Sequence, residues 1–509
     1  MSLEELYFSV RSRIRELGHR DSLYVIWAYC QYLQLNKFNI PNDIQVSPEF
    51  LNSVPPQAFL PEWTLEVIAR EVIRHADEQS RRGRSLRQWN NVASIANALR
   101  DLEDEIYARF VGGERIHLEL MRIAHRQFVW QQHRLNWKPV IRYYKLFNTP
   151  DIRAHTRYVT GLSLDQIYLI GLCYLGMFSE NPRVARRPNI QIAGISQEHI
   201  ECFLAFTSLN RRRLADRLRA EHALDEGFFY RYSSLREFPL IQISYQGHDE
   251  VACPIPTLLF WRITTGLYYT LKDVPGFPTA FGTSFQQYVG EVIGQRITNP
   301  DIAALPEREY RVGLRRKDSV DWIMQERNEA ALFVECKTKR LTWASKAGVA
   351  DLSNFDQDIR KLAGAVVQVY KTIKDYRAGL YPHLPFVEAR RIYPAVVTLE
   401  DWYFFGLEMP DRLNEAVRTS MEAARLPIAW LDEMPYLIMS VDEFEKLAGV
   451  INIAGIQSVV MGKVQDREFR RWGFDAYCNH RYPEEVKHLP KLFHDQYNAT
   501  FANIALRQS

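Results

Sequence analysis

Between Phe355 and Ile373 the apolar residues fall at Phe355, Ile359, Leu362, Val366, Val369, Tyr370 and Ile373. Steps of three and four put them along one stripe of a helix. The same spacing runs through LYVIWAYCQYLQL (23–35) and SIANALRDLEDEIYARF (94–110), and residues 1 to about 230 read as mainly helical. From Phe238 the period changes. PLIQISYQ alternates as a strand does, GHDE turns, VACPIP follows, and TLLFWRITTGLYYTL returns to a helical pattern. The proline- and glycine-bearing stretch from about 272 to 284 reads as a domain boundary.

Past that boundary the pattern is an αβββαβ series. Phe285, Tyr288, Val289, Val292 and Ile293 make an apolar helix stripe, with Thr283 or Ser284 as its N-cap. REYRVGL (308–314), VDWIM (320–324) and AALFVECK (330–337) read as strands, the last two joined through QERNEA as an antiparallel hairpin. RIYPAVVTL and PYLIMSV are further strands, and Ser440 with Glu443 forms an S-x-x-E capping box. The expected fold is a mainly α N-terminal region plus an α/β C-terminal domain, a mixed central sheet flanked by helices. Four segments follow: a helical recognition or assembly region over 1–235, a connecting hairpin, helix and linker over 236–280, a core over 281–450, and a C-terminal helical extension over 451–509.

Composition narrows the class. The chain has 509 residues, 47% hydrophobic and 25% charged, an ordinary globular balance. A formal net charge of +3 neither demands nor excludes nucleic acid, because a local basic patch is enough. Such clusters occur at Arg81, Arg82, Arg84 and Arg87, at Arg183, Arg186 and Arg187, and at Arg211–Arg213 with Arg217 and Arg219. The six cysteines are far apart and form no CxxC pair, which argues against a zinc ribbon, a redox motif or a disulfide scaffold. The first residues carry early acids and no long apolar run, and Ile167–Phe178 is too short to span a bilayer. The expectation is a soluble, cytoplasmic protein with no membrane partner. No P-loop and no HExxH occurs, and the R-x4-H spacing of Arg217 and His222 has an apolar Leu218 after its arginine.

The chemistry concentrates in SVDWIMQERNEAALFVECKTKR, residues 319–340. Residues i and i+2 of a strand share a face, so Glu335 and Lys337 point one way and Cys336 the other. Across the hairpin Asp321 lies near their level. Two converging carboxylates repel unless a cation sits between them, and a hard divalent ion with oxygen ligands does that best. The backbone carbonyl of Cys336 is a further candidate ligand. Lys337 beside such a metal is suited to orient or deprotonate a water and to offset developing phosphate charge. Metal, aimed water and lysine together point to phosphodiester hydrolysis.

D321-x13-E335-C336-K337 resembles the catalytic core of the PD-(D/E)XK nuclease superfamily, and VECK in particular is similar to Mrr-like restriction nucleases and Holliday-junction resolvases. Val320 stands where the motif's name has proline. The resemblance covers residues 280 to 400. It implies a restriction-endonuclease-like fold, Mg2+ or Mn2+ held by Asp321 and Glu335, and Lys337 serving the water. In that family a glutamate on the preceding helix often supports the site; here Gln286 holds the place, and Glu291 lies one turn on. Gln368 is similar to the helix glutamine that Mrr-like and RecB-like nucleases direct to the metal. Arg315, Arg316 and Lys317 before the motif, in a loop, and Lys339 and Arg340 after it, suit DNA phosphates. The implied activity is metal-dependent DNA endonuclease, in prokaryotic restriction or antiphage defence. DNA is the expected partner, with a homo-oligomer or a defence-system protein as a further one. The competing class is a non-catalytic, nuclease-like scaffold that binds DNA or protein.

Overall fold

The computed structural model describes residues 1–35, 39–53, 59–78, 83–112, 115–131, 136–190, 192, 194–245, 247–342, 345–346, 352–404 and 408–505. Two compact units divide them: 1–277 with 346–351 and 501–509, and 278–345 with 352–500. Arg81 and Arg82 lie outside the described residues.

The first unit is rich in helices. Its α1 (Leu3–Arg15), α2 (His19–Gln34), α3 (Glu62–His75) and α4 (Trp89–Phe110) bury the stripes that the periodicity marks, and Ser2 with Glu5 closes a capping box at α1. The expected hairpin forms from β3 (Leu240–Tyr245) and β4 (His248–Ala252), flanked by the short β1 (Arg183–Ala185) and β2 (Ser208–Asn210) in the order β1-β4-β3-β2. Read as part of a connector, this hairpin instead belongs to the body of the first unit. Its arginines are largely spoken for. Arg183 pairs with Glu250, Arg186 and Arg187 with Glu201, Arg217 with Glu237 and Arg219 with Asp216. His222 stacks on Tyr7 in the interior.

The second unit is α/β. Helix α5 runs unbroken from Phe277 to Arg296. Thr283 and Ser284 are therefore interior positions, not caps; Pro278 stands in the first turn, where no N–H is needed. A five-stranded sheet follows, in the order β11-β10-β9-β8-β5. The strands are β5 (Ile302–Pro306), β8 (Trp322–Glu326), β9 (Ala330–Lys337), β10 (Arg391–Thr398) and β11 (Leu437–Ser440). Antiparallel pairing joins β5, β8 and β9, and parallel pairing joins β9, β10 and β11. The parallel steps need crossovers, supplied by α6 (Ser353–Arg377) and α7 (Glu408–Ala423).

One strand was misplaced in the reading of the sequence. REYRVGL is not in this sheet: Glu309–Val312 is β6, which pairs only with β7 (Arg315–Asp318) as a separate two-stranded ribbon. The first core strand is IAALP, β5. Its two small alanines gave a weaker strand signal than the valine and tyrosine of β6.

Central strand β9 is buried from Ala330 to Glu335, so it reads as a continuous apolar run. The apolar stripe of α6 is buried as expected, from Phe355 through Ile373. Ala365 and Thr372 are buried too, whereas Lys361, Gly364 and Gln368 are exposed. Ser440 and Glu443 close their capping box at α8 (Val441–Ala454). After it α9 (Ile456–Gln465) joins the same unit: the Glu326 carboxylate at the end of β8 accepts the Gln457 N–H at 2.8 Å. Residues 451–500 are thus part of the core's own unit.

Gly290 marks where α5 lies on the sheet. A side-chain carbon there would run into the Trp322 indole, whose N–H donates to the Gln286 carbonyl at 3.0 Å. Gly290→Leu should cost about 1–3 kcal/mol through overpacking, despite its better helix propensity. Urea unfolding measures this, and an unchanged midpoint would show that the helix does not press on Trp322.

Candidate functional site

The β8–β9 register builds the site. Trp322 pairs with Val334, so the preceding residue, Asp321, stands opposite Glu335. Arg327 closes the hairpin turn in the left-handed region, with φ 43°, and Asp301 holds it through its backbone carbonyl at 3.0 Å and its carboxylate at 2.6 Å.

Glu335 is 3% exposed. Its carboxylate accepts from the Lys337 ammonium at 2.6 Å, the two sharing a strand face as alternation requires. The Asp321 carboxylate accepts the Cys336 backbone N–H at 2.5 Å. Lys337 also donates to Gln368 Oε1 at 3.3 Å, so Gln368 on α6 reaches the site as the sequence suggested. The Cys336 thiol is enclosed, and burial pushes its pKa well up. All six cysteines are free thiols.

Both acids are shifted toward protonation. Burial, then the charge of Asp321, pushes Glu335 up to about 7, against the pull of Lys337. Burial likewise pushes Asp321 up to about 6, opposed chiefly by the Cys336 N–H.

A third acid acts on this pair. Glu307 follows β5 directly; its N–H donates to the Asp321 carbonyl at 2.8 Å, and its charge raises both carboxyl groups further. Its carboxylate accepts from Gln286 Nε2 at 3.0 Å, which ties α5 to the site. Sequence reading missed Glu307 because it assigned the first core strand to β6 and left the end of IAALP without a role. Glu291, the candidate one turn after Gln286, is exposed on α5; the hydrogen bond toward the site comes from Gln286.

The basic candidates divide. Arg315, Arg316 and Lys317 lie on strand β7 rather than in a loop. Arg315 is exposed, Arg316 is exposed beside Glu309 at 3.5 Å, and Lys317 pairs at 2.7 Å with Asp375, which also accepts from Tyr310. Lys339 pairs at 3.0 Å with the buried Asp358. Arg340 is 7% exposed and pairs with Glu400 at 3.1 Å, which removes it from the exposed bases available to a phosphate.

Asp321, Glu335 and main-chain oxygen at Cys336 form an all-oxygen donor set that suits magnesium or manganese. Burial lifts both acids and neighbouring carboxylates add to it, and a divalent cation would favour their charged forms. Among the described residues no group of three or more His, Cys, Asp and Glu side chains has metal-holding geometry. Comparison with protein-family models, with curated proteins and with solved structures finds no match. The chemistry therefore rests on the site's own geometry.

The raised pKa values make the metal-free chain pH-sensitive. Each acid binds its proton more tightly folded than unfolded. That contribution to stability is complete below the unfolded values near 4 and is lost as pH rises through about 6 to 7. In chelator the melting temperature should therefore fall between pH 5 and pH 8, and Glu335→Gln should melt higher than the parent at pH 8 but not at pH 4. Equal pH slopes for the two would show that Glu335 is not a buried, strained acid.

Proposed function

We propose that the second unit is a metal-dependent nuclease core of the PD-(D/E)XK kind and that it hydrolyses DNA phosphodiester bonds. The observation that carries this reading is the register that sets Asp321 across from Glu335 with Lys337 on the same face. The element order supports it: a helix, an antiparallel three-stranded meander, a crossover helix and a parallel strand. Among the described residues no single helix is long and apolar enough to cross a membrane.

In this reading Asp321 and Glu335, with the Cys336 carbonyl, would hold Mg2+ or Mn2+, which would supply Lewis acidity toward a phosphoryl oxygen and an acidified water. Lys337, on the face of Glu335 and bonded to Gln368, is placed to offer its ammonium to a water and to the charge growing on phosphate. Cys336 N–H holds Asp321 in place. Glu307 and Gln286 position the Asp321 strand. A nuclease core joined to a separate helical unit suits restriction or antiphage defence, with the helical unit recognising the target or a partner; this last step is analogy.

Alanine at Asp321, Glu335 or Lys337 should each reduce cleavage of supercoiled plasmid by at least about 100-fold, on the scale of losing one preorganised catalytic group. The circular dichroism spectrum should be retained. Magnesium or manganese should support cleavage, calcium poorly, since its looser coordination aims the water badly. Activity should rise with pH through 6 to 7 as the two acids ionise. Full cleavage by Glu335→Ala, or in excess chelator, would overturn this assignment of the site; no cleavage by the parent chain with either metal would leave the scaffold reading in its place.

The exposed Arg315 and Arg316 are the groups proposed to meet phosphate. Each contact should contribute about 0.9 to the slope of log affinity against log salt, so alanine at both should lower it by about 2 for every sequence alike. Arg340→Ala should act differently, destabilising the fold by removing the buried guanidinium and its ion pair with Glu400 while the salt slope of the folded fraction stays unchanged. Duplex binding across a salt series distinguishes the two, and an unchanged slope in the double variant would remove the β7 ribbon from the interface.

A further inference from the structure

A cavity of about 370 Å³ opens at the opposite end of the five-stranded sheet from the carboxylates. Arg391, which begins β10, pairs with Ala330 at the start of β9, whereas Thr398 at its end pairs with Lys337. At about 3.3 Å per residue the two ends are roughly 23 Å apart, so the cavity is no part of the nuclease site. Its volume falls within the roughly 300–1,000 Å³ of small-molecule sites.

The lining is cationic with an apolar wall. Arg377, Arg390, Arg391 and Arg470 face it together with three acids, Glu388, Asp432 and Glu433. Only one of those acids is in an ion pair with a lining arginine, Glu433 with Arg377, and at a long 3.8 Å. Arg391 is exposed and spends one donor on the Met461 sulfur, a poor acceptor. Arg390 is 7% exposed; its two Nη atoms bond Tyr376, Asn328 and the Arg327 carbonyl, but its Nε has no partner among the described residues. The Tyr393 hydroxyl lies beside the Arg391 guanidinium. Buried donors left in this state cost free energy, and an arriving acceptor recovers it. Ile392, Met434 and Met461 supply apolar surface, and Phe386 a half-open aromatic ring.

Several guanidinium forks in one cavity suit a ligand with two or more negative charges, which phosphates carry and a single carboxylate does not. The apolar wall calls for an organic body with a flat face, and methionine surfaces adapt to one. We infer that this cavity binds a nucleoside di- or triphosphate, its phosphates on Arg391, Arg470 and Arg377 and its base against Phe386 and the methionines. The inference does not depend on the nuclease reading.

The test is calorimetric titration of the full chain carrying Glu335→Gln, in excess chelator, so that the carboxylate site contributes nothing. The probes are ADP, ATP, GDP, GTP, pyrophosphate and adenosine. At least one nucleotide should bind with sub-millimolar Kd, and pyrophosphate and adenosine at least about tenfold more weakly, a 1.4 kcal/mol difference. Arg391→Glu, at an exposed position, should weaken the nucleotide by about tenfold or more while the ligand-free melting temperature holds, and Arg470→Glu, whose guanidinium also donates to the Val464 carbonyl at 2.9 and 2.6 Å, should weaken it as much in the folded fraction. No binding of any of the four nucleotides, or equal affinity in both variants, overturns the inference. Pyrophosphate binding as tightly as the best nucleotide overturns its organic half and leaves a polyphosphate site. No cleavage is measured, so failure here leaves the proposed function untouched, and failed cleavage leaves this untouched.

Discussion

Two carboxyl groups kept nearly dry at one level of a sheet are the constraint around which the second unit is arranged. A buried carboxylate is costly, and a second one beside it more so. The fold meets that cost locally. Lys337 reaches back to Glu335 from the same strand face, and the Cys336 N–H reaches across to Asp321. The compensation is incomplete, and burial leaves both groups above the usual carboxylate range, Asp321 at about 6 and Glu335 at about 7. Acids held in this way lower stability as they ionise, the usual opposition between stability and function.

The rest of the unit keeps this arrangement from relaxing. Asp301 fixes the tight turn, so the β8–β9 register cannot slip by one residue and turn Glu335 to the other face. Glu307 at the end of β5 holds the Asp321 backbone from the other side, and Gln286 joins that strand to α5. Helix α6 spans the parallel crossover with its apolar stripe down and leaves Gln368 exposed beside Lys337. Arg340 and Lys339, basic residues just past the strand, are spent on Glu400 and Asp358. Charge near the carboxylates is not all free; some of it holds the loop that leaves the strand.

The two ends of the parallel strands β9 and β10 differ in kind. One end gathers acids, the other arginines around a cavity with an apolar wall. On the two proposals, opposite charges at opposite ends of one sheet would let an anionic small molecule and a divalent cation be held by the same framework without competing.

What the sequence determined by itself was mostly local. The helix stripes, the β3–β4 hairpin, the Ser440–Glu443 box and the level of Asp321 with Glu335 all follow from periods of 3.6 and 2 and from the short QERNEA turn, because each involves residues close in the chain. That Gln368 faces the site was implied by the family resemblance alone, and the buried stripe of α6 fixes the rotation that brings it to Lys337. Tertiary structure decided what depends on distant partners. Which of β5 and β6 enters the sheet was settled by pairing with β8, against local strand propensity. Glu307 became part of the site only through that pairing, and Arg340 left the set of exposed bases only because Glu400, sixty residues on, lies where its guanidinium is buried. The cavity between the start of β10 and α9 had no trace in any motif, since its arginines come from three separated segments and share nothing but the place where the chain brings them together.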